Sequence, residues 1–330
     1  MLQRILDSHH SAGEFVGGRI ALEDRDGAVT EVSEGTQTID PDSAPVDVDT
    51  PWNIGSSTKT FVAVVVLQLV DEGRLSLDET VERFVPNLAG ADRITVRELL
   101  QHTSGLHEYA DEPVVVNDQK RFWTPDELIA VAEAAGPVAD PGSGFHYANT
   151  NYIVLGEIIQ NVTGHSWDYE VHTRIAEPLG MTHTALAGAD LAPGFVPADG
   201  GFVDVTFSMD PSVGGSAGAL VSNNADLLRF MTALADGELL SPESQKAMET
   251  FVPGNDYSEY GITHRYGLGL ESYSTDAITV LGHMGTGPSH ESFMGFDAAH
   301  GDFVAVTLNT NNPGPQAFMA LETLTAAAAG

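Results

Sequence analysis

From Phe61 to Val70 the chain is apolar on nearly every side, interrupted by Gln68, and a glycine follows at position 73. A helix that is apolar all round is a buried one, so this pattern predicts a core helix closed near Gly73. Ahead of it, residues 14–36 alternate β-formers with turn residues around Asp26-Gly27, as a hairpin does. From about Leu75 to Ala189 the periodicity is mostly helical. "TPDELIAVAEAAG" sets Thr124 as a cap, Pro125 at the first helical position and Gly136 at the end, and "NYIVLGEIIQNVTG" and later "SNNADLLRFMTALADG" repeat the helical spacing. Towards the C-terminus "YGLGLESYSTDAITVLGHMG" and "ESFMGFDAAHGDFVAVTLNT" read as strands joined by turns, and "GPQAFMALETLTAAAA" as a closing helix. Strands at both ends around a helical middle predict an α+β fold. We expect a single domain over 1–330, with an α/β part from approximately 1–74 and 205–330, a mostly helical subdomain at 75–204, and a cleft between them.

Charge narrows the function classes. The 330 residues carry 47 acidic side chains against 14 basic ones, a formal charge of −33, and only three of the basic residues are lysines. A nucleic-acid partner needs a basic stripe to neutralise phosphates, and the sequence has none. The acids are dispersed among apolar segments, so their mutual repulsion is relieved by strong salt, and we expect a protein adapted to a salty cytoplasm. No stretch approaches the roughly 18 apolar residues of a membrane span. The start, "MLQRILDSHHSAGEF", does not read as a secretory signal, which makes a cytoplasmic location the expectation, with an exported protein whose signal has been removed as the alternative. With no cysteine there is no thiolate site, and neither the His9-His10 pair nor any other stretch has metal-ligand spacing, so no cofactor is expected.

One of the three lysines, Lys59, stands at the mouth of the apolar helix, three residues after Ser56. Residues i and i+3 share a helical face, so the amine can reach the hydroxyl. A serine hydroxyl is a poor nucleophile until a base activates it, and desolvation lowers a lysine pKa towards that task. The bland reading is a helix cap followed by a lysine that snorkels to water. Two further stretches favour chemistry: "FHYANTNY", with Tyr147 and Asn149 two apart ahead of a helix, and "LGHMGTG", with His283 and Gly285 two apart at the end of a strand.

Together with "IGSSTK" these resemble the three motifs of the penicillin-recognising serine hydrolases, Ser-x-x-Lys, Tyr-x-Asn and Lys or His-x-Gly. "ITVRELLQHTSGL", "PLGMTHT" and "GSAGALVSNNADLLRFM" extend the likeness in order over almost the whole chain, to the class C β-lactamase, DD-carboxypeptidase and family VIII esterase group. The resemblance implies a β-lactamase/transpeptidase-like fold, an antiparallel sheet flanked by helices with an all-helical subdomain. It also implies a nucleophile at Ser56, a proton acceptor at Lys59, and a phenol at Tyr147 whose pKa Lys59 lowers. Asn149 would bind an amide of the substrate's acyl side, His283 would stand behind Tyr147, and Gly285 would keep bulk away from the substrate. The N–H groups of Ser56 and Thr286 would form the oxyanion hole. His102, Ser104 and Gly105 in "QHTSGL" are structural on this reading, and "GGSAGA", residues 214–219, is close packing.

Two departures bear on specificity. In the carboxypeptidase branch a hydroxyl and an arginine help hold a terminal carboxylate; Met284 and Glu271 stand in those places here. Glu271 is therefore expected to face the substrate and repel free carboxylates. The expected activity is cleavage of small esters or amides through an acyl-enzyme. The alternatives are a penicillin-binding DD-peptidase or weak β-lactamase acting on β-lactams, and, in another class, a non-catalytic scaffold that kept the fold.

Overall fold

The N-terminal hairpin forms where its alternation predicts, with β1 (Gly17–Glu23) and β2 (Val29–Gly35) paired in antiparallel register and Gly27 turning the chain at φ +79°. The computed structural model describes residues 1–188, 191–312 and 314–329. Six strands from the C-terminal part complete the main sheet: β3 (Val252–Tyr257), β4 (Ile262–Tyr266), β5 (Glu271–Ser274), β6 (Thr279–Thr286), β7 (Glu291–Asp297) and β8 (Asp302–Leu308). The order is β2-β1-β8-β7-β6-β5-β4-β3, eight strands whose neighbours are all antiparallel. The two ends of the chain thus meet in one sheet through the β1–β8 pair.

Helices cover both faces. On one lie α1 (Leu2–Ser11), which the sequence pattern did not reveal, and the C-terminal helix (Pro315–Ala328). α1 buries Leu2, Ile5 and Leu6, the i, i+3, i+4 stripe of a surface helix. On the other side α2 (Thr58–Asp71), α3 (Pro125–Ala135), α4 (Asn149–Thr163), α5 (Pro211–Gly218) and α6 (Asn224–Ala235) share one hydrophobic cluster, in which α6 packs on β1, β7 and β8 while α3 and α4 pack mainly on other helices, so the C-terminal helix is α7. α3 begins with the Thr124–Glu127 capping box and ends at Gly136, φ +83°. Short strands at Ala185–Leu186, Phe195–Ala198 and Gly201–Asp204 follow the helical stretch.

Two features of this frame set up the site. α2 is buried along its whole length but for its last turns, which fixes its first residues in the molecule's interior. β5 pairs with only Thr279–Gly282 of β6, so among the described residues the edge of β6 from His283 to Thr286 has no strand beside it on that side. The start of α2 and the open edge of β6 face one another.

Candidate active site

The chain enters α2 through a single turn of 3-10 helix, Gly55–Ser57. Gly55 has φ +49°, and a Cβ there would lie 2.7 Å from the Thr286 backbone, so glycine lets the turn sit directly against the end of β6. Gly285 is under the same constraint: a Cβ would meet the Ile54 carbonyl at 1.9 Å and Ser292 Oγ at 2.4 Å. Its smallness serves this packing. Between Trp52 and Thr60, Ser56 alone is not buried. Ser57 points the other way, its Oγ held by Ser292 Oγ at 2.8 Å and donating to the His283 carbonyl at 3.2 Å.

Lys59 is fully buried, and its Nζ meets three oxygens: Ser56 Oγ at 2.8 Å, Asn149 Oδ1 at 2.7 Å and the Ala217 carbonyl at 2.8 Å. Burial lowers its pKa to about 7, against the opposing charges of Glu108 and Glu271. A neutral amine has two N–H groups and one lone pair. The two carbonyl oxygens can only accept, so they take both N–H groups and leave the lone pair for the one partner able to donate, the Ser56 hydroxyl. This is the arrangement a general base requires. Asn149 opens α4, and with its oxygen committed to Lys59 its NH2 is what remains for a substrate. Ala217 comes from the "GGSAGA" segment, whose packing role thus includes a direct contact with the Lys59 amine.

Tyr147 is half-buried, its ring stacked on His102 with centroids 4.2 Å apart and Lys59 Nζ 5.0 Å from its centre. Burial and the Glu271 charge hold its phenol well above the usual range, against the pull of the Ser56 hydroxyl. This corrects the expectation that Lys59 lowers it. A neutral phenol at Tyr147 could give a proton, and the Lys59 amine is placed to accept one from Ser56.

Behind Tyr147 runs a buried chain of hydrogen bonds with a determined direction. The Ala148 N–H donates to His102 Nδ1 at 3.2 Å, which puts the proton of neutral His102 on Nε2. Nε2 then donates to Tyr266 Oη at 3.2 Å, Tyr266 donates to His283 Nε2 at 2.9 Å, and His283 Nδ1 donates to the Met284 carbonyl at 2.6 Å. Burial lowers both histidine pKa values, consistent with neutral rings throughout. His102 holds a left-handed φ of +56°, a local cost of about 1 kcal/mol that its three ring contacts offset. His283 is therefore no catalytic residue in this geometry: both ring nitrogens are used inside the protein, and it supports the ring behind Tyr147. Ser104 is likewise interior, donating to Asn151 Oδ1 at 2.5 Å, so it forms no nucleophilic pair with His102.

Glu271 does not face the substrate. Only 4% exposed, it accepts from Tyr273 Oη at 2.6 Å and the Met284 N–H at 2.9 Å, with His264 Nε2 and His283 Nδ1 each 3.5 Å away. Burial alone would raise its pKa; His283, His264 and Tyr273 bring it below the usual carboxylate range. β-strand alternation explains the misplacement, because Glu271 sits at the start of β5 with its side chain turned under β6. Glu271→Arg would bury a cation beside two histidines. It is expected to lower stability by more than about 3 kcal/mol in a urea melt rather than to change charge preference. A folded, equally stable variant would return Glu271 to the surface.

The Met284 contact also orients the open edge of β6. Its N–H points to Glu271 and away from β7, and in an antiparallel strand the N–H two residues on points the same way. The Thr286 N–H thus faces the open edge, against Gly55 and beside Ser56.

Glu108 is a site residue that motif reading missed. Its carboxylate accepts the Asn149 N–H at 2.5 Å and the Ala110 N–H at 2.9 Å. Burial raises its pKa, while both N–H groups and the Lys59 charge lower it. It lies four residues after Ser104 in a segment whose signature carries no acid, so spacing alone does not point to it.

A family model described as Beta-lactamase matches residues 9–329. The PbpX protein of Bacillus subtilis (strain 168) is 28% identical over 70% of this chain, which spans 61% of PbpX. Penicillin-binding protein 4 of Amycolatopsis lactamdurans is 28% identical over 81% of this chain and 73% of its own length. Among solved structures, the D-amino acid amidase of Ochrobactrum anthropi SV3 complexed with L-phenylalanine amide superposes with a TM-score of 0.88 at 28% identity, covering 98% of this chain and 95% of that one. A D-stereospecific amidohydrolase from Streptomyces sp. gives 0.84 at 28% identity, covering 98% and 97%.

Proposed function

The chain belongs to the beta-lactamase family, and from that premise we propose that it is a serine hydrolase acting through an acyl-enzyme on Ser56, with small amides and esters that carry a free amino group as its substrates. The observation that carries this reading is the three-oxygen cage around Lys59, which aims the amine's lone pair at the Ser56 hydroxyl.

In acylation Lys59 takes the Ser56 proton as Oγ bonds to the carbonyl carbon. The oxygen, now negative, sits between the Ser56 and Thr286 N–H groups, each such donor being worth about 3 kcal/mol. The bond to the leaving nitrogen or oxygen then breaks, the leaving group takes a proton from Tyr147, and Lys59 returns the proton it holds to the phenolate. Water repeats the sequence to release the acid and free Ser56.

The amino group enters through Glu108. Each of its oxygens accepts one backbone N–H and keeps a second lone pair, and a half-buried carboxylate can take a charge-assisted hydrogen bond from an ammonium group placed against it. The structural likeness to a D-amino acid amidase supports the same class and suggests the D-enantiomer. Met284 offers no hydroxyl to a carboxylate, which weighs against a DD-peptidase. Adaptation to a salty cytoplasm, read from the −33 charge, belongs to this proposal as well.

Hydrolysis of D- and L-phenylalanine amide, their N-acetyl derivatives and a penicillin tests the reading, with intact mass reporting the adduct. The free D-amide is expected to exceed its N-acetyl form by about tenfold or more in kcat/KM, the effect of one charge pair, and Glu108→Gln to bring the two together. No adduct and no turnover with any of these would sink the proposal; equal rates for the free and acetylated amides would remove Glu108 from it.

A further inference from the structure

We propose that the cavity on the far side of Thr286 from Lys59 is the site for the leaving group and that it takes an uncharged, apolar and preferably aromatic one; this rests on the acyl-enzyme reading above. The cavity has a volume of about 220 Å³ and lies where β6 meets the N-terminus of α7. Its walls include Tyr257, Tyr260, Tyr273, Met284, Thr286 and Phe318.

Position comes first. Thr286 is shared: its backbone abuts Gly55 at the reaction centre, while its side of β6, with Met284, lines the cavity. Lys59, Asn149 and Glu108 gather at the other side of Ser56, at the starts of α2 and α4 and in the loop that caps them. A substrate whose carbonyl oxygen lies between the Ser56 and Thr286 N–H groups, with its amine towards Glu108, extends the other substituent of that carbonyl towards the cavity.

Chemistry comes second. The chain carries −33, yet none of the described residues lining this cavity is an acid or a base. Tyr257 and Tyr273 are phenols whose pKa burial raises, so they stay neutral. At the mouth Tyr260 and Phe318 are 56% and 41% exposed and meet edge-on, with centroids 5.5 Å apart. Large apolar rings left in water beside a cavity gain from a ligand that covers them, and ring edges and faces favour an aromatic one. An apolar cavity of about 150 Å³ suffices for a benzene ring, and Met284 can adapt its shape to the occupant. The fully buried Gln316, whose Nε2 has no hydrogen-bond partner among the described residues, adds one donor for an oxygen on the group.

The test holds the acyl part fixed as D-phenylalanine and varies the amide as methylamide, benzylamide and carboxymethylamide. All three give the same acyl-enzyme, so differences in kcat/KM report acylation alone. The benzylamide is expected to exceed the methylamide by about 10- to 100-fold, the gain from burying a phenyl ring, and the carboxymethylamide to fall below both. In Phe318→Ala and Tyr260→Ala the benzyl-to-methyl ratio should fall towards one; both side chains are exposed enough for the fold to survive. Benzyl alcohol, titrated by NMR into the Ser56→Ala protein, reads the site without turnover and should lose at least about tenfold in affinity on Phe318→Ala. Equal benzyl and methyl rates in a protein that does acylate would overturn the site and leave the reaction standing. Failure of every amide to acylate would overturn the reaction and the leaving-group role together.

Discussion

Replacing Ser56 by alanine is expected to lower kcat by roughly 10⁴- to 10⁶-fold and to abolish the covalent adduct, with the thermal midpoint nearly unchanged. The hydroxyl is the half-exposed group in an otherwise buried stretch, and its hydrogen bond is to Lys59, which keeps both carbonyl partners without it. Ser57 supplies the opposite case one residue away. Its Oγ is enclosed between Ser292 Oγ and the His283 carbonyl, so Ser57→Ala should cost about 1–3 kcal/mol of stability and leave adduct formation largely intact. Intact mass after exposure to an activated ester, with a urea melt on each variant, separates the two. An inactive Ser57→Ala beside an active Ser56→Ala would move the nucleophile by one residue.

What the sequence revealed of this site follows the distance over which each contact acts. Ser56 and Lys59 are one turn apart, and Tyr147 and Asn149 lie at the entry of a helix whose pattern is plain, so their types and spacing suffice to place them together. Lys59 and Ala217 are 158 positions apart, and the segment holding Ala217 reads as small residues packed closely; nothing local says that its carbonyl meets a buried amine. Tyr266 is in the same position, 17 residues before the histidine it bonds, across the β4–β5 and β5–β6 pairings that spacing does not fix. Glu271 shows the cost of reading charge without register: a substitution of acid for base invites a repulsion argument, but the direction of a strand residue decides whether that charge meets substrate or protein. The fold was more legible than the site's supporting shell because periodicity reports burial, and eight antiparallel strands with helices on both faces need little more than burial and turns.

The acid and base assignments divide along the same line. Tyr147 stacks on a neutral histidine in a chain of neutral groups, where a phenolate would have no compensating cation but Lys59. Lys59 lies between two carbonyls and a hydroxyl, where its neutral form satisfies every partner. Two titratable groups whose surroundings push one up and the other down are the pattern by which a donor and an acceptor coexist at one pH.

The pH dependence of acylation should therefore follow Lys59. A base must be deprotonated to act, and with a pKa of about 7 in the free enzyme kcat/KM is expected to rise about tenfold per pH unit below pH 7 and to level above it. Glu108 is the rival source of such a limb, since burial raises its pKa too and the two groups feel each other's charge. Glu108→Gln distinguishes them by sign. Glu108 holds the Lys59 pKa up, so removing its charge should shift the limb to lower pH if the limb belongs to Lys59 and should erase it if it belongs to Glu108. An ester without an amino group, measured alongside, keeps the loss of amine binding out of the comparison. Lys59→Met should lose roughly 10²- to 10⁴-fold at every pH, and Lys59→Arg should be no better, because a guanidinium cannot give up its proton in this range. An unchanged limb in Lys59→Met would show that another group takes the Ser56 proton.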